Sequence, residues 1–190
     1  MRSHLRSCSA PGAPRHDRSG QDLANTQAGA LREMAQGLKS GALTQQEGAQ
    51  LLERQQQISG LLEEARADGT VSPLERFVIE FHQFVAFLEQ FCATHNSERG
   101  TSTHVQDLLA KQENHLGRIA EGLEKGSLTG AETAHLLEQQ AAAARKVSKV
   151  QQDGMVTPEE RFDVTRDLVR ASYDIFRLTG TEGRIVLVTG

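Results

Sequence analysis

The chain has 190 residues, a hydrophobic share of 37%, no Trp, one Tyr, seven Phe and a net charge of −4. That share is below the ~45–50% of an ordinary globular chain, and the abundance of Gln, Ala, Glu and Leu favours helix over strand. The composition points away from a compact enzyme with a deep pocket and toward an elongated all-α protein with a narrow core. A mildly acidic chain also has no field to gather phosphates, so no nucleic acid partner is expected.

Residues 1–21 hold Arg2, Arg6, Arg15 and Arg18 with Pro11 and Pro14 and almost nothing apolar, which reads as a disordered tail. It contains no apolar h-region. No stretch of the chain reaches the ~18 apolar residues of a membrane span. No membrane partner is expected, and the default location is cytoplasmic. Cys8 and Cys92 form no disulfide framework.

A first helical unit is expected over 22–95, with helices near 22–40, 45–67 and 73–94. Gly41 fits the left-handed position past a helix end. Thr44 and Glu47 then form a T-x-x-E capping box. At the next junction, Gly69 stops a helix, Ser72 caps the following one, Pro73 takes its first position and Glu75 closes the box. The second helix carries the stripe Leu51, Ile58, Leu62 and Ala65. The third carries Leu74, Phe77, Phe81, Phe84, Leu88 and Phe91, whose alternating steps of three and four predict a seam packed on the other helices.

Residues 96–104 are polar and read as a linker. A second unit follows over 105–180, with helices near 105–125, 130–152 and 158–178. Residues 181–190 form a C-terminal tail. Its GRIVLVTG run resembles the opening strand of a dinucleotide-binding domain, without the glycine-rich loop that would follow.

The two units are copies. Shifted by 85 residues, Ala35–Phe77 aligns without a gap on Ala120–Phe162, and nineteen of the 43 positions are identical. Gly126, Thr129 and Glu132 repeat the first junction. Asp153, Gly154, Thr157, Pro158 and Glu160 repeat the second. The copies differ in apolar mass. Ile58, Leu61, Phe81 and Phe87 become Ala143, Lys146, Arg166 and Ser172. If those side chains are buried, the first unit is the more stable half. One seam cannot bury all of Phe77, Phe81, Phe84, Phe87 and Phe91. A second apolar edge beside the seam therefore makes Phe81, Phe84, Phe87 and Phe91 the expected contact residues for a protein partner or a second copy of the chain.

The DGxV[ST]PxE junction resembles the second half of an EF-hand, in which the sixth loop residue is Gly and the twelfth a bidentate Glu. The resemblance implies a calcium site holding Asp68 and Glu75, and Asp153 and Glu160 in the second copy. It falters at the first and third positions, where Glu64 and Arg66, or Lys149 and Gln151, would stand. The whole repeat also resembles bacterial helical repeat proteins of unknown function that pair GxLTxxE with DGxx[ST]xxER, a resemblance that brings no activity with it.

No histidine pair has zinc-ligand spacing. His115 and His135 come from adjacent expected helices. Cys92 and His95 share a helical face, without an oxyanion site. Arg76 and Arg161, identical in both copies, are expected to pair with a carboxylate of the preceding helix. No catalytic motif is present, and no cofactor is expected. The expected function is a non-catalytic protein-interaction or scaffold module, with a calcium-responsive EF-hand-like regulator as the alternative.

Overall fold

The computed structural model describes residues 18–95, 106–152 and 157–180. All secondary structure among them is helical: α1 (Arg18–Ser40), α2 (Gln45–Arg66), α3 (Pro73–Thr94), α4 (Gln106–Glu124), α5 (Gly130–Gln152) and α6 (Pro158–Thr179). The expected N-terminal tail before residue 18, the whole linker 96–104, Asp153, Gly154 and the C-terminal tail lie outside the described residues. α1 starts at Arg18 rather than near residue 22. Tertiary contact supports the extra turn, because the Gln21 side-chain amide donates to the carbonyl oxygens of Leu123 and Glu124 (3.1 Å each) at the end of α4.

The helix ends follow the local chemistry. Gly41, Gly69 and Gly126 take φ of 75°, 86° and 65°, the left-handed region in which a Cβ is penalised. Thr44, Ser72, Thr129 and Thr157 each accept the backbone N–H three residues on, from Glu47, Glu75, Glu132 and Glu160. Each glutamate carboxylate accepts the cap residue's own N–H in return, at 2.8–3.0 Å. Two orphan donors are satisfied at each of four helix starts, worth about 1 kcal/mol per cap.

The closest helix pairs join the first half of the chain to the second: α2 with α5, and α1 with α4. Both pairs are antiparallel. Glu63, late in α2, accepts the N–H of Gly130 at the start of α5 (2.8 Å), while Glu53 pairs with Arg145. Gln21 reaches the end of α4, and Lys39 meets Glu113 (2.9 Å) nearer its middle. α3 rests on α1 and α2, and α6 rests on α4 and α5. One core cluster runs through both halves, from Leu31, Met34, Leu52 and Ile58 to Leu116, Ile119 and Leu136. A smaller one lies under α6, around Leu108, Val147, Val164 and Leu168.

Small residues let α2 and α5 approach so closely. Ser59, Ala141 and Ala144 are buried. A Cβ on Gly130 would lie 2.5 Å from the Ser59 carbonyl oxygen. Two glutamine side chains inside this layer donate to backbone. Gln27 Nε2 donates to the Gln55 carbonyl oxygen and to Ser59 Oγ, both at 2.8 Å. At positions 85 residues on, Gln112 Nε2 donates to the Gln140 carbonyl oxygen at 3.2 Å.

The seam expected of α3 does not pack inward. The buried residues of α3 are Ile79, Ala86 and Gln90. Phe77, Phe81, Phe84, Phe87 and Phe91 are 65, 57, 58, 54 and 50% exposed, and Leu74 and Leu88 are exposed beside them. The physical reason is that periodicity groups residues onto a face without saying where that face points. Here the helix meets α1 and α2 through its opposite side, and Gln83 and Gln90 anchor it by donating to the Leu23 carbonyl oxygen (2.8 Å) and the Glu33 carboxylate (3.0 Å). The premise for a more stable first unit holds for only half of its residues, since Ile58 is buried and Leu61 packs against the core while Phe81 and Phe87 are exposed.

Candidate interaction surface

α3 has its apolar and polar sides reversed relative to the bundle. Its inward positions are Ile79, Gln83, Ala86 and Gln90. The positions 85 residues on, in α6, are Val164, Leu168, Ala171 and Ile175, all buried and all apolar. Outward, the comparison inverts. Leu74, Phe81, Phe84 and Phe87 of α3 correspond to Glu159, Arg166, Val169 and Ser172 of α6. α6 thus docks by a wholly apolar inner face and mixes charged residues with the exposed Phe162, Val169 and Tyr173 outside, whereas α3 turns glutamines to the bundle and five phenylalanines to water.

The exposed side of α3 is a continuous stripe. Leu74, Phe77, Phe81, Phe84, Leu88 and Phe91 follow one another at steps of three and four, with Val78 along one edge and Phe87 on the other. A monomer's largest apolar patch is usually about 300–600 Å². Five phenylalanines half or more exposed, with two leucines and a valine, come to on the order of 800 Å². The expected contact residues Phe81, Phe84, Phe87 and Phe91 all lie on it. Phe87 and Phe91 have ring centroids 6.3 Å apart, and Phe91 stacks on the His95 ring at 4.1 Å. Leu23 of α1, which could have covered the second edge, is itself buried. It lines only the floor of a shallow groove of about 350 Å³, with Phe84 and Phe87 at its rim.

The remaining candidate groups are engaged in structural contacts. His95 Nδ1 lies 2.9 Å from the Phe91 carbonyl oxygen and 3.1 Å from Thr94 Oγ1, while Cys92 is exposed. His115 and His135 have separate partners, His115 with Gln140 and Ser172 and His135 with Gln139. Arg161 pairs with Asp107 of α4 (2.6 Å), not with the preceding helix α5 as expected. Arg76 contacts Glu80 on its own helix and Ser19 of α1.

At the EF-hand-like junction, α2 continues through Glu64 to Arg66, so the first three positions of the loop are helical. Asp68 accepts the Thr70 N–H, and the Glu75 carboxylate accepts the Ser72 N–H in the capping box. In the second copy Glu160 serves Thr157 in the same way, and that cap holds its carboxyl below the usual range. Among the described residues, no three His, Cys, Asp or Glu side chains converge as a metal site would require.

Sequence reasoning missed the buried polar layer of Gln27, Gln55, Gln112, Gln140 and His115. The signal available was Gln27 matched to Gln112 and Gln55 matched to Gln140 at the 85-residue offset. Glutamines at repeated positions within otherwise apolar stripes point to paired amides in a core.

No protein-family model, no curated protein and no solved structure matches the chain. No helix among the described residues is long and apolar enough to cross a membrane.

Proposed function

We propose that the chain is a non-catalytic, cytoplasmic protein-interaction module. In this reading it is built from two copies of a three-helix unit joined side by side, and it presents the outward stripe of α3 as its contact face. The observation that carries the reading is the reversal of α3. A helix that places Gln83 and Gln90 against the bundle and five phenylalanines in water is poorly matched to a monomer. It is well matched to a protein whose second apolar partner arrives from outside. The copy that keeps α6 conventional supplies the scaffold. Its outer face sets Glu159, Asp163 and Arg166 among the exposed Phe162, Val169 and Tyr173, and so is less apolar than that of α3.

The test is photo-crosslinking in the native cells, with Phe84 replaced by a benzophenone-bearing analogue and Tyr173 of α6, also exposed, replaced likewise as control. Position 84 should give a discrete protein adduct, and position 173 none. Absence of an adduct at position 84, or the same adducts at both positions, overturns the reading.

A further inference from the structure

We infer that the occupant of the α3 stripe is the α3 of a second copy, so that the chain forms a closed two-fold dimer with the stripes packed antiparallel. The inference rests on the reading of α3 as a contact face and names its partner.

The first argument is register. The stripe runs Leu74, Phe77, Phe81, Phe84, Leu88, Phe91, a two-in-seven apolar repeat sustained over the helix, which is the pattern of a helix that pairs with another helix along its length. The steps are three, four, three, four, three, and they read the same from either end. An antiparallel copy therefore meets every layer at once. Leu74 falls against the second copy's Phe91, Phe77 against its Leu88, and Phe81 against its Phe84. Val78 and Val85 then flank the seam from both chains. The helix dipoles oppose in this arrangement.

The second argument is area. On the order of 800 Å² of apolar side chain is what one partner contributes to a stable interface of standard size. The third is closure. α6 occupies the matching place in the other half and keeps Phe162, Val169, Tyr173 and Phe176, but its stripe is broken by Glu159 for Leu74, Asp163 for Val78 and Arg166 for Phe81. A chain with two such faces would string into filaments, and a chain with one self-complementary face stops at two. The charges along α3 disfavour an anionic membrane as the occupant, because Glu75, Glu80 and Glu89 outnumber Arg76.

Sedimentation equilibrium of the full chain tests this. The wild type should sediment at twice 20.8 kDa. The double variant Phe81→Arg with Phe84→Arg, whose first change copies Arg166, should sediment at 20.8 kDa with an unchanged helical spectrum. Tyr173→Arg should remain a dimer. Cys92 lies on the edge of the stripe and is exposed. Its alkylation in the wild type, followed on its own peptide, should therefore slow as concentration drives association, which keeps the proposal testable if the double variant fails to fold. A wild type that stays at 20.8 kDa at millimolar concentration, a dimer that survives the double variant, or a Cys92 rate indifferent to association overturns the dimer. A monomeric wild type that gives another protein's adduct at position 84 overturns the dimer and leaves the contact face standing. A monomeric wild type with no adduct overturns both.

Discussion

His115 Nε2 lies 2.5 Å from Ser172 Oγ, at two positions whose counterparts 85 residues earlier are Ala30 and Phe87. Where α3 carries an exposed phenylalanine, α6 carries a hydroxyl that the buried His115 imidazole meets. Gln140 meets the other ring nitrogen at 3.2 Å. Burial pushes the His115 pKa down to about 4, against the raising effect of Gln140, with Arg118 and Lys111 adding to the fall. The folded state therefore binds this proton less readily than the unfolded chain does, whose histidine titrates near 6.5. The stabilisation from neutral His115 is complete above about pH 6.5 and is lost as pH falls toward 4, at ~1.4 kcal/mol per unit and on the order of 3 kcal/mol in all. Urea midpoints should fall across that window in the wild type and much less in His115→Gln. Parallel profiles for the two proteins would refute the assignment. Glu121 and Glu124, held low by Lys125 and Arg32, give up their contributions only below their ordinary pKa of 4.5, so the windows separate.

The four capping boxes are independent and far apart in sequence. Ser72→Ala and Thr157→Ala should each cost about 1 kcal/mol, and their effects should add. In a chain of this size that is a melting shift of about 2–4 °C per cap. Differential scanning calorimetry of the two single variants and the double variant checks both the size and the additivity.

Gly130 and Gly60 sit in the paired helices α5 and α2 and should respond in opposite directions to alanine. A Cβ at position 130 would stand 2.5 Å from the Ser59 carbonyl oxygen and 2.9 Å from the Glu63 backbone nitrogen. Backbone cannot swing aside, so Gly130→Ala should prise α2 from α5 and cost roughly 1–3 kcal/mol. At Gly60 nothing lies within 4 Å, and alanine there should stabilise by about 0.4–1 kcal/mol through the unfolded chain and helix propensity. Chemical denaturation of both variants decides the matter, and equal signs would contradict the close approach.

The helix boundaries were legible in the sequence because they are written in adjacent residues. Thr44 with Glu47, and Ser72 with Pro73 and Glu75, need no tertiary context to start a helix. The stripe Leu51, Ile58, Leu62 and Ala65 was also read correctly as core. The orientation of α3 was not, because a three-four spacing defines a face without defining what it meets. The aromatic side was the obvious core, and the side that docks is half glutamine. Setting Ile79, Gln83, Ala86 and Gln90 against Val164, Leu168, Ala171 and Ile175 would have exposed the reversal, since one of two aligned helices must then be docked by its weaker side. The pairing of α2 with α5 was illegible for a different reason. It depends on small residues such as Ser59, Ala144 and Gly130, which carry no periodic signal.

The reversal of α3 has a dynamic consequence. An inward face of two apolar and two amide side chains buries less apolar surface than the Val, Leu, Ala and Ile face of α6, and each buried aliphatic side chain forgone is worth roughly 1.5–3 kcal/mol. Local opening draws on the weakest-packed elements, so α3 should be the helix that opens first when the chain is alone. In the Phe81→Arg, Phe84→Arg variant, hydrogen exchange should therefore be faster by ten-fold or more in the middle of α3 than in the middle of α6, at about 1.4 kcal/mol for each factor of ten. In the wild type at high concentration, the same α3 amides should slow toward the α6 rate, since the second copy would supply the apolar contacts that the bundle does not. Equal protection of α3 and α6 in the variant would mean that Gln83 and Gln90, through Leu23 and Glu33, hold the helix as firmly as an aliphatic face would.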